Sequence, residues 1–186
     1  MFRVDKERHE YWDGPQKIVS ITDCLKSAGL IEARFASDFD MWVGTATHRA
    51  LELHIKGTLD YKTLDAVLKP RIEAWEDFVQ KTGFAVADSE LPLYSKILGF
   101  AGTLDLRGYF PDGEEGIVEI KSGNVARWAG IQLAGQDTLL GFGKHRKRYG
   151  LKIPADGPPC ITPFTDPDDY SIFLSALNIA RWKLKS

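Results

Sequence analysis

The sequence predicts a mixed α/β domain in which helices flank a central mixed sheet. Apolar residues recur at helical spacing through much of residues 20–82. Short aliphatic runs, separated by turns rich in glycine, proline and aspartate, then replace that spacing. Helical spacing returns twice later in the chain. The predicted order is therefore three helices, three antiparallel strands, a helix, one or two further short strands and a closing helix.

Length and composition predict a single soluble domain. With 186 residues, 44% of them hydrophobic and 27% charged, the chain has the composition of a globular protein rather than a disordered one. No internal repeat or linker divides it. We expect residues 1–17 to be a loosely structured lead-in, residues 20–82 a helical N-terminal part, and residues 84–186 the sheet with its helices.

Several classes of protein are excluded by the same properties. The apolar runs are too short to span a membrane, and the N-terminal residues are too charged for a secretory signal. Cys24 and Cys160 lie far apart, which fits a reducing cytoplasm and excludes a four-cysteine iron–sulfur cluster within this chain. The net charge of −2 gives no sign of a nucleic-acid partner, so such a partner would need a local basic patch.

Three helices are predicted before the sheet. The first, in "SITDCLKSAGL", has Ser20 or Thr22 as its N-cap and ends at Gly29. The second covers "DFDMWVGTATHRALELHIKG" and ends at Gly57. The third covers "LDYKTLDAVLKPRIEAWEDFVQKTG", where Pro70 is expected to bend or split it.

Three consecutive antiparallel strands follow, predicted in "FAVADSELPLYS", "FAGTLDLRGYF" and "EGIVEIKSG". A helix is predicted in "VARWAGIQLAGQDTLLGFGK", and two short strands in "KRYGLKI" and "PCITPF". The segment "DPDDYSIFLSALNIARWKLK" has the pattern of an amphipathic closing helix.

Two of the predicted strands carry charges that a sheet does not need for stability. Side chains alternate across a strand, so Asp105 is expected to face away from Leu104 and Leu106, while Glu119 and Lys121 share one face. Two carboxylates on neighbouring strands suit Mg²⁺ or Mn²⁺, and a lysine beside them can orient or deprotonate an attacking water. An ordinary solvated strand face remains an equal alternative from these residues alone.

The tripeptide pattern by itself is weak. Asp60-Tyr61-Lys62 repeats it at a predicted helix entrance without an acidic strand upstream, and we interpret that copy as surface charge.

The order of the motifs, taken together, resembles the PD-(D/E)XK nuclease superfamily and, more closely, its RecB-like branch of phage and recombination exonucleases. "GTLDL" followed by "IVEIKSG" matches the strands that name the superfamily. "GTATHRALEL" supplies a glycine and a histidine four residues apart, Gly44 and His48, and Gln132 lies in the helix after the lysine. The resemblance extends from about Ser20 to Trp182.

The resemblance implies a restriction-endonuclease-like core and a metal site. Asp105 and Glu119 would be ligands of Mg²⁺ or Mn²⁺, and Lys121 would act on the water. Gln132 would steady the lysine or the nucleic-acid backbone. Further ligands would be His48, Glu90 and the backbone carbonyl of Ile120.

Two positions depart from the pattern of the branch. Gln136 stands where a tyrosine is usual, which puts the DNA-contacting role of that position in doubt. Leu104 stands where the superfamily name has proline.

A basic run, "KHRKRYGLK", has two interpretations. It is either a solvated helix end or a phosphate-contacting patch beside the site, formed by Lys144, Arg146, Lys147 and Arg148. Arg127 and Trp128 could stack on a base of a single strand, although core packing of the tryptophan is favoured.

The resulting hypothesis is a Mg²⁺- or Mn²⁺-dependent deoxyribonuclease, in particular an exonuclease of recombination, repair or phage replication. Its partner would be a single- or double-stranded DNA end, with a homo-oligomer or a recombination protein as further partners, in the cytoplasm of a bacterial host if phage-encoded. The alternatives are a non-catalytic nucleic-acid or protein-binding module and a dimeric site-specific endonuclease.

Overall fold

A computed structural model of the chain describes residues 1–6, 8–31, 37–141 and 146–185. Within these residues five helices pack around one mixed sheet of eight strands. The strands are β1 Phe2–Asp5, β2 Glu10–Asp13, β3 Gln16–Ser20, β4 Ala85–Ser95, β5 Phe100–Tyr109, β6 Glu115–Lys121, β7 Lys147–Lys152 and β8 Cys160–Pro163. The helices are α1 Ile21–Ser27, α2 Asp38–Ile55, α3 Lys69–Thr82, α4 Trp128–Leu139 and α5 Asp168–Lys183.

The N-terminal residues form strands, so the predicted loose lead-in is wrong. β1, β2 and β3 make an antiparallel meander, and β3 then pairs with β5 in parallel. Tyr11 is buried, and the ring of Phe2 stacks on Tyr94 of β4 at 5.5 Å. These short, charged strands show little periodicity in their sequence. Packing on the rest of the sheet stabilises them, and not a local pattern.

The predicted helices are present, with one correction. Both α1 and α2 begin at a capping box, formed by Ser20 with Asp23 and by Ser37 with Asp40. α3 is shorter than predicted and starts at Lys69, so Pro70 lies in its first turn instead of bending it. Proline is favoured there because the first turn needs no intrahelical N–H donor.

The predicted antiparallel strands β4, β5 and β6 are confirmed. β4 pairs with β5 along one edge, and the other edge of β5 is shared by two strands. Its first residues pair with β3, and residues 106–109 pair with β6. Asp105 therefore lies where β3 and β6 diverge on one side of β5.

The regular alternation of β5 breaks at Asp105. Ser89 pairs with Leu106 and Leu91 with Leu104, so Glu90 lies across from Asp105, and Glu90 has a left-handed φ of 51°. Leu104 packs with Ile117 and Leu133, whereas Leu106 packs with Phe84 and Val118 in a different part of the core. The expectation that the two leucines share one face is therefore wrong, and the break coincides with the irregular backbone of Glu90 in β4.

The core lies on both sides of the sheet. One part fills the space between α2, α3 and strands β5 to β7, and another joins α1, α4 and α5 around Phe100 and Phe173. Helices of the described part of the chain are too short or too polar to cross a bilayer.

Candidate active site

Three potential metal ligands converge from three elements. His48 comes from α2, Glu90 from β4 and Asp105 from β5. The His48 Nδ1 lies 3.2 Å from Glu90 Oε1 and 3.6 Å from Asp105 Oδ1. Among the described residues these side chains form a group whose ligand atoms all lie within 4.8 Å of one another. One imidazole nitrogen and two carboxylate oxygens at this separation can bind one divalent cation.

Asp105 is held in an almost fully buried position. Its exposed fraction is 9%, and the backbone N–H of Ile120 donates to its Oδ2 at 2.7 Å. Burial, together with the charge of Glu119, raises the pKa of Asp105 to about 7. The Asp105 carboxylate is thus destabilised by its surroundings and would gain from a nearby cation.

Glu119 is more buried than Asp105, with 3% exposed, and is surrounded by donors. Its Oε1 accepts from Lys121 Nζ at 2.8 Å and from Gln132 Nε2 at 2.7 Å. Its Oε2 accepts from Gln136 Nε2 at 2.7 Å. Burial opposes ionisation of Glu119, but Lys121 and the Gln136 amide outweigh it and hold the pKa of Glu119 below its ordinary value.

The surroundings of Lys121 favour its charged form. Burial alone would lower its pKa, but the charges of Glu119 and Asp105 raise the pKa above its ordinary value. Its Nζ also lies 4.9 Å from the centre of the Trp128 ring, and it donates to Gln132 Oε1 at 3.4 Å. Trp128 is partly buried against the core, as predicted, and a cation–π contact adds to that role.

His48 is also biased towards its charged form. Burial lowers the pKa of the imidazole, but Asp105 and Glu90 together raise the pKa to about 9. The helix α2 brings His48 to the sheet, and Gly44, one turn earlier, faces Ser122 just after β6. A Cβ at position 44 would meet the Ser122 Oγ at an ordinary 3.6 Å, so close packing alone does not require this glycine.

These contacts settle the question of a solvated strand face. Asp105 and Glu119 are buried, and the partly exposed Lys121 donates to Glu119. The second copy of the pattern, by contrast, lies in an exposed turn after α2 in which the N–H of Lys62 donates to Asp60 Oδ1. The interpretation of that copy as surface charge is confirmed.

The predicted basic patch is wrong for the arginines that the structure describes. Arg146 forms buried ion pairs with Asp137 at 2.8 Å and Glu115 at 3.1 Å. Arg148 is buried against Asp169 at 2.9 Å. Both guanidinium groups therefore hold the fold together instead of facing a ligand.

The lysines of the same run are the remaining members of the predicted patch. Lys147 is ion-paired with the acids of the β5–β6 turn, Asp112 and Glu114. Lys144 lies outside the described residues. The backbone carbonyl of Ile120 stays a predicted ligand, because the described contact of this residue with the cluster is through its N–H.

Two residues of the site were not predicted as such. Gln136 lies one turn after Gln132 on α4, and a four-residue spacing places both on one helix face, so this signal was present in the sequence. Tyr11 reaches the site from the N-terminal strands, and its hydroxyl lies 2.8 Å from Thr103 Oγ1 on β5. Nothing in the charged N-terminal segment indicated that contact.

Comparison with known proteins supports the fold. No protein-family model and no curated protein matches the chain. A solved structure of a provisionally named exonuclease from Eubacterium rectale aligns with a TM-score of 0.59 and 12% identity, over 90% of this chain and 80% of that one. An alkaline exonuclease from Laribacter hongkongensis aligns with a TM-score of 0.39 and 18% identity, over 90% and 92% of the two chains.

The alignment with the Eubacterium rectale protein confirms the predicted class, a central mixed sheet flanked by helices. The chain thus shares its fold with a protein named as an exonuclease, in keeping with the resemblance of its motifs to the PD-(D/E)XK nucleases.

Proposed function

We propose that the protein is a metal-dependent deoxyribonuclease that hydrolyses phosphodiester bonds. The observation that carries this proposal is the convergence of His48 with the carboxylates of Glu90 and Asp105, beside the buried ion pair of Glu119 with Lys121. Buried acids placed so close together repel one another and cost stability. Such an arrangement is typical of a site that binds a cation and a phosphate.

The donor set fits a hard divalent cation. His48 in its neutral form, Glu90 and Asp105 would hold it, and Glu119 is the predicted further ligand. Carboxylate oxygens suit Mg²⁺ and Mn²⁺, and the imidazole favours Mn²⁺ over Mg²⁺. The bound cation would polarise the scissile phosphate and lower the pKa of a bound water.

The side chains supply the remaining functions. Lys121 would orient the attacking water or deprotonate it, and its charge would offset charge developing on the phosphate. Gln132 steadies both Lys121 and Glu119 through contacts at 3.4 Å and 2.7 Å. Its predicted role of steadying the lysine fits these contacts.

An end-directed activity is the form of the proposal that we favour. The fold is that of a protein provisionally named as an exonuclease. Arg146 and Arg148 of the predicted phosphate patch are engaged in ion pairs within the protein. Contacts to the phosphate backbone of DNA would therefore have to come from other residues.

The test is cleavage of end-labelled linear DNA, single- and double-stranded, with closed circular DNA in parallel. We expect Mn²⁺ or Mg²⁺ to support release of nucleotides from linear DNA, and EDTA to stop it. Asp105→Asn and Lys121→Met should each reduce the rate at least about 100-fold. The matched controls Asp60→Asn and Lys62→Met alter the exposed copy of the same pattern and should leave the rate unchanged.

Other outcomes identify the alternatives. DNA binding without metal-dependent cleavage would contradict the proposal and favour a binding module. Discrete products from closed circular DNA would favour an endonuclease. Cleavage that survives both Asp105→Asn and Lys121→Met would place the active site elsewhere.

A further inference from the structure

Gln136 stands where the RecB-like pattern usually has a tyrosine. The contacts of Gln136 are unusual for a residue that binds substrate. Its exposed fraction is 1%, so its side chain cannot reach DNA. Its Nε2 donates to Glu119 Oε2 at 2.7 Å and to the backbone carbonyl of Thr103 at 3.3 Å. One amide thus joins β6 to β5, two residues before Asp105.

Glu119 is restrained on both of its oxygens. Among the described residues, Lys121 and Gln132 donate to Oε1, and Gln136 alone donates to Oε2. A carboxylate has about four lone-pair sites. Donors of the described residues therefore occupy three, which leaves one for a cation or a water.

The Gln136 amide is itself anchored from behind. The Thr103 residue whose carbonyl it contacts bonds through its hydroxyl to Tyr11 at 2.8 Å, and Tyr11 is buried in the N-terminal strands. A chain of contacts thus runs from the N-terminal meander through β5 to Glu119. Such a chain can hold the Glu119 carboxylate in a fixed rotamer, because each residue in it is hydrogen-bonded to the next one.

We propose that Gln136 is a positioning residue that fixes Glu119 relative to Asp105, so that both carboxylates address one metal ion. This inference rests on the proposed nuclease function and assigns to α4 a pair of amides one turn apart, Gln132 and Gln136, that clamp the two oxygens of Glu119. Position 136 then orders the metal site and does not contact the substrate.

The experiment measures Mn²⁺ binding by calorimetry, together with cleavage kinetics, in the full chain. Gln136→Met removes the donor at similar volume, Gln136→Asn withdraws the amide by one methylene, and Gln136→Glu places a second acceptor against Glu119. Thr138→Val is the matched control, because Thr138 is a buried polar residue of the same helix whose hydroxyl bonds only to the α4 carbonyl of Ala134 among the described residues.

We expect Gln136→Met and Gln136→Asn to weaken Mn²⁺ binding about 10-fold or more, and Gln136→Glu to weaken it further. At saturating Mn²⁺ the kcat should fall about 10-fold while the KM for DNA stays unchanged. Thr138→Val should leave both unchanged. The thermal melting temperature of each variant shows whether it is folded. Because three different side chains are compared at position 136, at least one folded variant is needed for the comparison of Mn²⁺ binding.

Two results overturn the inference in distinguishable ways. Wild-type Mn²⁺ affinity in the folded Gln136 variants, or a raised KM for DNA with unchanged kcat, would refute the positioning role and leave the nuclease proposal intact. A wild-type protein that neither binds Mn²⁺ nor cleaves DNA would refute the nuclease proposal and, with it, the role of Gln136.

Discussion

Glu90 carries the strain of the site at the scale of a single residue. It holds a φ of 51° in the middle of a strand, a conformation that costs a non-glycine residue about 1–3 kcal/mol. The distorted backbone brings its carboxylate to 3.2 Å from His48, across from Asp105. The strain is explained if the backbone of Glu90 is distorted in order to place its carboxylate in the metal site, since the sheet does not need this conformation.

Replacing Glu90 should therefore separate stability from metal binding. Glu90→Gly and Glu90→Ala both remove the carboxylate, but only glycine accepts a positive φ without strain. We expect both to weaken Mn²⁺ binding, and Glu90→Gly to be more stable than Glu90→Ala by about 1 kcal/mol in urea unfolding. Equal stability of the two variants would contradict strain at this position.

At the scale of elements, α2 does more than carry His48. Its C-terminal half bears Glu52, which is buried and accepts from Lys56 at 2.6 Å and from Arg49 at 2.6 Å, while Lys6 lies 3.6 Å away. Lys6 follows β1, so this group of charges ties the N-terminal strands to the helix of the candidate site. The hydrogen bond from Lys56 is the main cause that lowers the pKa of Glu52 from 4.5 to about 2.

This ion-pair group predicts a pH dependence of stability. Because the folded-state pKa of Glu52 is lowered, its contribution is complete above the unfolded value of 4.5 and is lost as the pH falls towards about 2. Glu52→Gln should thus unfold at lower urea than wild type at neutral pH, and the difference should shrink below pH 4.5. Its cationic partners are exposed, so added salt should also reduce the difference.

The control for this measurement is Glu73→Gln, which alters an exposed glutamate of α3. It should change the urea midpoint little at any pH. A gap between wild type and Glu52→Gln that is independent of pH would show that packing, and not charge, explains the effect.

For the molecule as a whole, the sheet connects distant parts of the chain. β3 joins the N-terminal meander to β5. Arg146, just before β7, forms an ion pair with α4, and Arg148 in β7 forms one with α5. The core around Phe100 contains Cys24, which has no exposed surface, whereas Cys160 is exposed. The two thiols should therefore differ in their accessibility to a labelling reagent in the folded protein.

Thiol labelling should follow global unfolding. Burial raises the pKa of the Cys24 thiol to about 12, so its reactive thiolate is scarce at neutral pH. Ellman's reagent should modify one thiol per chain in the native protein and two in guanidinium chloride. Cys160→Ser should abolish the fast reaction and Cys24→Ser should preserve it, and two fast thiols in the native protein would contradict this packing.

Local patterns in the sequence were sufficient for the elements that have a clear period. Strands β4 to β6 were predicted from aliphatic runs and turn residues, and helices α1, α2, α4 and α5 from apolar spacing and caps. The placement of Asp105 beside the Glu119–Lys121 pair followed as well, because a hairpin places neighbouring strand positions side by side.

The tertiary structure alone decided the features that depend on partners far away in the chain. The strands β1 and β2 are stable only on the packed sheet, and Glu90 enters the site because the backbone of β4 is distorted there. Burial turned Arg146 from a candidate phosphate contact into an ion-pair partner and turned Gln136 into a partner of Glu119. A sequence period reports the face on which a side chain lies, but the charge and burial of that side chain's neighbours are set only when the whole chain has folded.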